Sequence, residues 1–166
     1  MLSSEATRRG ERAEAFFREG YNCSQAVFLA FHDLADLDLD ASARLSSSFG
    51  GGVGRLREIC GAVSGALMAL GMIAGYSDPK DPEAKAAHYR LVQEFAARFR
   101  GKEGSIVCRE LLAGIETSEG PVPAERNEEF YRKRPCPRLV RLAAETAAAM
   151  LEEKALLPEG ERKEPK

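Results

Sequence analysis

Apolar residues recur three and four positions apart through most of the chain, and the alternation of a half-buried strand is nearly absent. From Ala6 to Arg18, Ala13, Phe16 and Phe17 share one helical face, and Gly20 supplies a stop. Asn22 opens a second helix with Gln25 three residues on, the pattern of a capping box, ahead of Ala26, Val27, Leu29, Ala30 and Phe31. Asp40 starts a short third helix through Ala43, Leu45 and Ser46. Pro79 and Pro82 precede a long amphipathic helix from Glu83 to Arg100, with Ala84, Ala87, Leu91, Phe95, Ala96 and Phe99 on its apolar side. Ser105 caps a short helix through Leu112, and the Pro- and Gly-containing stretch from Glu116 to Glu129 reads as a surface loop. Pro137 opens a last helix that turns Leu139, Val140, Leu142, Ala143, Ala147 and Leu151 inward.

Between these lies an uncharged run of small and apolar residues from Ile59 to Gly75. Its length is at the lower edge of a membrane span, about 18 residues. Arg55, Arg57 and Glu58 crowd one end, Ser77-Asp78-Pro79 closes the other, and the run is rich in Gly and Ala. Gly61 with Gly65, and Gly71 with Gly75, place small residues one turn apart, where another backbone can approach closely. The run is expected to be the buried central helix of a bundle and not a membrane span. The predicted architecture is all-α: one compact domain over residues 1–157, with six or seven helices around this Gly/Ala-rich helix. The charged residues 158–166 are expected to form a frayed tail.

Composition narrows the class of protein. The chain has 166 residues, 44% apolar and 30% charged, which is globular and large enough to bury a core without staples. A formal net charge of -2 gives no basic field, so nucleic acid is not an expected partner. The N-terminal stretch has no apolar h-region and no cleavage pattern, so it does not read as a signal peptide. The expected compartment is the cytoplasm, where structural disulfides are disfavoured.

The four cysteines, Cys23, Cys60, Cys108 and Cys136, change the picture. No two form a CxxC pair, and no CxxCH exists for covalent haem. Taken singly, each fits an inert core position, because free cysteine is among the most buried residue types. All four, however, fall at predicted helix N-termini, where unpaired N–H groups and a partial positive charge favour thiolate over thiol. The glycine-rich SFGGGVGR, Ser48 to Arg55, lacks the Lys-Ser/Thr of a phosphate loop and has no strand before it. Its Gly51, Gly52 and Gly54 suit a backbone nest for an anion or thiolate, or simply a surface turn. Asn22 caps a helix beside Cys23, and Gly61 follows Cys60 at the head of the central helix; both are candidates to line a site. Arg55, Arg57 and the run Arg132-Lys133-Arg134 flank two of the cysteines and could hold thiolates or an anionic substrate, or form a solvated basic face. His32 and His88 are each more often ordinary histidines than metal ligands.

The order of YNCSQAV (Tyr21 to Val27), FGGGVG (Phe49 to Gly54), CGAVSGA (Cys60 to Ala66) and two later single cysteines resembles the C-GCAxxG-C-C family of redox-active proteins. The resemblance spans Tyr21 to Cys136. One departure is visible: Ile59 stands where the family name places a glycine before its cysteine. The family is similar to the non-haem part of split-Soret cytochromes, which implies an iron–sulfur site. Three readings follow. In the first, Cys23, Cys60, Cys108 and Cys136 are both the redox-active groups and the ligands of a metal centre, an iron–sulfur cluster above all, serving electron transfer or redox sensing. In the second they cycle as a metal-free thiol–disulfide oxidoreductase. In the third the chain is a helical scaffold or small-molecule-binding module with structural thiols. No redox partner is named by the residues, and a homodimer is permitted by the glycine-rich faces without being required.

Overall fold

The structure, a computed structural model, describes residues 1–157; the expected tail lies outside them. The protein is all-α, 66% helical with eight helices and no sheet among the described residues. Helix α1 (Ser4–Arg18) is capped by Ser3, whose hydroxyl oxygen accepts the Ala6 N–H at 2.9 Å. Helix α2 (Cys23–Leu29) has both halves of the capping box: Asn22 Oδ1 accepts the Gln25 N–H at 2.9 Å, and Gln25 Oε1 accepts the Asn22 N–H at 3.0 Å. Helix α3 (Leu39–Ser46) is capped by Asp38 instead of starting at Asp40. Helices α4 (Gly61–Ala74), α5 (Pro82–Glu103), α6 (Cys108–Leu111), α7 (Glu128–Lys133) and α8 (Cys136–Glu153) follow. Helix α7 goes beyond the sequence reading, which extended a loop to Glu129. Asn127 caps it by accepting the Phe130 N–H at 2.9 Å.

Helix α8 is the hub: α1 lies along it, and α2, α4 and α5 also pack on it. Helix α2 is held between α1 and α4, and α3 covers its outer side. Phe17, Phe28, Phe31, Phe95 and Phe99 fill the spaces between these helices. The Gly/Ala-rich α4 is buried along its first half, where a methyl group at Gly65 would meet Val27 Cβ at 3.0 Å and overlap the Ser24 carbonyl of α2. Its last turn opens to solvent at Met72, so α2, buried at five of its seven residues, is the more enclosed helix. Helix α5 buries only Leu91, Phe95 and Phe99, and Ala87 is exposed, because its first half stands clear of the bundle. No helix among the described residues is long and apolar enough to cross a membrane.

One charged side chain is enclosed with the core. Arg9, 2% exposed, sends Nη1 to the Ala30 carbonyl at 2.7 Å, Nη2 to Asp33 Oδ2 at 2.8 Å and Nε to Glu5 Oε1 at 2.7 Å. Its guanidinium also lies over the Phe31 ring.

Candidate thiol centre

The four cysteines come from four different helix starts. Cys23, Cys108 and Cys136 are the first residues of α2, α6 and α8, and Cys60 is the N-cap of α4. All four line one small chamber of about 30 Å³, together with Gly51, Gly61 and Arg57. The helix-start placement expected from the sequence is present at every cysteine, and the bundle brings these starts to a common point. Cys60 and Cys108 are buried, Cys23 and Cys136 half-buried, and all four are free thiols.

Two local devices set this convergence. The first is a short antiparallel pairing that the sequence did not reveal. Cys60 N–H donates to the Ile106 carbonyl at 2.8 Å and Cys108 N–H to the Glu58 carbonyl at 2.6 Å, flanking an isolated Ile59–Val107 bridge. This register holds Cys60 and Cys108 on neighbouring segments. The second is missing side chains. A methyl group on Gly61 would overlap Cys23 Sγ and sit 2.9 Å from the Phe49 carbonyl, and one on Gly52 would sit 2.6 Å from Cys108 Cβ. These two glycines leave the space that the sulfur-bearing residues occupy.

The glycine stretch itself winds left-handed. Gly51, Gly52, Val53, Gly54 and Arg55 all have φ between 56° and 71°. Valine and arginine pay a steric penalty there of roughly 1–2 kcal/mol each. The N–H groups of Arg55, Arg57 and Glu58 turn back to the carbonyls of Gly50, Gly51 and Gly52 at 3.2, 3.2 and 2.9 Å. Those three donors, and the Gly54 N–H, which reaches the Gly50 carbonyl, are used within the loop. Gly51 lines the chamber, Gly54 lines the cleft outside it, and Gly52 is buried behind Cys108. Asn22 lines the outer cleft, its cap oxygen on α2 and its Nδ2 donating to the Ser47 carbonyl at 2.9 Å.

The electrostatics correct one sequence inference. Helix starts were expected to favour thiolates, yet burial pushes the Cys60 thiol well up, with Cys23 adding to it; the N–H groups of Val63 and Ala62 pull down without prevailing. Burial likewise pushes Cys136 up to about 12, against the pull of Arg134 and Arg126. Cys108 is raised by burial too, with the Arg57 side chain opposing. Desolvation of a sulfur anion outweighs a helix-terminal half-charge when the terminus itself is buried.

The chamber opens into a larger vestibule of about 370 Å³, which shares Cys23, Cys136, Gly51 and Arg57 with it. Arg55, Arg126 and Arg134 also line the vestibule. Arg126 was not picked out from the sequence; as a single cation within a polar loop it gave no periodic or motif signal. Of the run 132–134 only Arg134 faces this cleft, since Lys133 pairs with Glu129 and Arg132 lines a separate groove. His32, on a turn after α2, and His88, beside Tyr76 on α5, line neither chamber nor vestibule. Among the described residues no group of three or more His, Cys, Asp or Glu side chains is spaced to hold a metal ion.

An all-α bundle that gathers four free thiols from four helix starts into one chamber defines a cysteine-centred protein. The chain belongs to the family described as "Putative redox-active protein (C_GCAxxG_C_C)", whose model matches residues 21–150 and so takes in all four cysteines. No curated protein and no solved structure matches the chain.

Proposed function

We propose that this redox-family protein uses Cys23, Cys60, Cys108 and Cys136 to hold an iron–sulfur cluster and exchanges electrons through it. The supporting observation is the convergence of four thiols, from four separate helices, on one chamber; as they stand no three are spaced to hold a metal ion, so loading would draw them together. Four soft sulfur donors suit such a cluster, and Arg57 and the helix starts would offset its negative charge. A cation in place of the thiol protons would remove the cost that burial now imposes on ionising Cys60, Cys108 and Cys136. The chamber alone is small, about 30 Å³, room for little more than water. Room for a larger group lies on the vestibule side, reached past Cys23 and Cys136.

The alternative, a metal-free dithiol–disulfide cycle, needs a thiolate to attack, and burial works against forming one at Cys60, Cys108 or Cys136. The test is reconstitution with iron and sulfide under anaerobic conditions, read by metal and sulfide content and the visible spectrum. Wild-type protein is expected to load, and Cys60→Ser to lose loading while remaining folded by circular dichroism. Wild-type protein that takes up no metal but cycles reversibly between dithiol and disulfide would establish the second reading instead.

A further inference from the structure

The vestibule is lined by Arg55, Arg57, Arg126 and Arg134 and by no Asp or Glu. Among the described residues none of these four forms an ion pair, nor do Arg90, Arg100 and Arg132 on other surfaces, whereas Arg9, Arg12, Arg18, Arg98, Arg138 and Arg141 do; what sets the four apart is that they share one cleft. Of the carboxylates near in the chain, Glu58 pairs with Arg109 and Glu129 with Lys133, while Glu116, Glu125 and Glu129 line a neighbouring cleft that shares Arg134 and Phe130 with this one; none lies within ion-pair distance of the four arginines. With the whole chain at a formal charge of -2, this positive field is local and belongs to the cleft.

The arginines are held in place by neutral groups. Arg55 Nε donates to the Gly120 carbonyl at 2.8 Å, and its Nη2 to the Ser118 carbonyl at 2.8 Å. Arg126 donates to the Phe17 and Tyr21 carbonyls, both at 3.2 Å, and lies over the Phe17 ring at 4.2 Å. Arg134 lies over the Phe130 ring at 5.1 Å. Carbonyls and rings orient a guanidinium but do not cancel its charge, and arginine cannot shed its proton to escape like-charged neighbours. A preorganised set of uncompensated cations around about 370 Å³ therefore lacks only its counter-anion.

We propose that the vestibule binds a small organic oxyanion carrying two or more negative charges on carboxylate or phosphate groups. Pro121, Pro123 and the half-buried Phe130 supply apolar walls for the rest of the molecule. Because Cys23 and Cys136 also line this cleft, the bound anion lies against the thiols. The binding itself does not rest on the iron–sulfur reading, since none of its contacts requires a metal.

The experiment is calorimetric titration of the full chain with citrate and with pyrophosphate at low ionic strength. At least one probe is expected to bind at one site per chain, more weakly as salt is raised. Arg134→Gln, or Arg55→Gln, should weaken binding about ten-fold or more, the loss of one charge-assisted contact. Arg134→Lys, which keeps the charge, should retain more of the affinity than Arg134→Gln. Arg98→Gln is the control, its partner Glu153 lying at the far end of α8, about 25 Å along the helix from Cys136. It should bind as wild type does. Because Arg55 also fastens residues 118–120, Arg134→Gln decides the matter if Arg55→Gln unfolds. Cys60→Ser, altered inside the chamber and not in the vestibule, should bind the probe normally even if iron loading fails. Absence of binding by both probes at millimolar concentration, or binding that Arg134→Gln and Arg98→Gln affect equally, would overturn the proposal.

Discussion

The two ends of α2 handle buried polarity in opposite ways. At its C-terminal end Arg9 meets the Ala30 carbonyl, Asp33 and Glu5, so charge is matched by charge and every contact is short. The cation also complements the negative end of the helix. At its N-terminal end Cys23 joins three other thiols beneath four arginines that have no carboxylate partner among the described residues. The first end is closed electrostatically and suits holding α1 to α2. The second is left open, with burial opposing ionisation of Cys60, Cys108 and Cys136 and uncompensated charge above them, which is the state of a site that expects an occupant.

The sharpest way to test that contrast is to break the closed end. Arg9→Met should cost roughly 3 kcal/mol of folding stability, the low end for severing a buried pair. The low end applies because Asp33 still has Arg12 and Glu5 still has Arg8 as partners, and both side chains are partly exposed, at 20% and 14%. The measurement is a denaturant midpoint. Arg134→Gln at the open end should shift that midpoint far less, by under about 1 kcal/mol, because no carboxylate is left unpaired. Equal losses would erase the distinction between the two ends.

Gly61→Ala probes the open end through shape instead of charge. The added methyl group overlaps Cys23 Sγ and crowds the Phe49 carbonyl, so one of the sulfurs must move. A cost of about 1–3 kcal/mol is expected from overpacking. Iron and sulfide loading should fall further than stability does, which the reconstitution assay and a thermal melt together would show. A variant as stable and as readily loaded as wild type would mean that the spacing at Gly61 is not what places Cys23.

Acid should weaken the closed end selectively. Burial works against ionising Asp33, but the Arg9 hydrogen bond and charge and the Arg12 charge outweigh it and hold the carboxyl below its ordinary value. Glu5 is lowered in the same way, burial being overcome by Arg8 and Arg9. A depressed folded value contributes stability above the unfolded pKa, near 4, and loses it as pH falls through the folded one. Stability of wild type should therefore drop on acidification below about pH 4 more steeply than that of Arg9→Met. Parallel pH profiles of the two proteins would contradict the assignment.

The same contrast explains how much could be read beforehand. Helices with an apolar stripe or a cap, such as α2 with Asn22 and Gln25 and α8 with its inward Leu139, Val140 and Ala143, were legible because their signals are local. The gathering of cysteines was legible only as a shared position at helix starts. The pairing of residues 58–60 with 106–108 that aligns Cys60 and Cys108 has no sequence periodicity, being a single bridge. Nor does Arg126 announce itself, because its role depends on Phe17 and Tyr21, more than a hundred residues earlier in the chain. The thiolate expectation met the opposite effect at Cys60, Cys108 and Cys136 for a related reason. A helix start can be located from its residues, but the burial that reverses its effect on sulfur is a property of the assembled bundle.

The smallest effect concerns strain, which is also distributed unequally. Val53, Arg55 and Arg57, beside the thiols, have φ of 66°, 71° and 61°, while no residue from 5 to 33 other than Gly20 has a positive φ. A β-branched residue is the worst suited to this region, and only the glycines around Val53 adopt it freely. Val53→Gly removes the clash, worth roughly 1–2 kcal/mol, and gives back part of that through the greater freedom of glycine in the unfolded chain. The expected net is a gain of about 0.5–1 kcal/mol in a denaturant melt. If iron loading then falls while the melt improves, the left-handed turn is strained in order to hold Gly51 and Gly52 against the thiols. If loading is unchanged, the strain is incidental to the site. A loss of stability instead would show that packing of the half-buried Val53 side chain outweighs its backbone penalty.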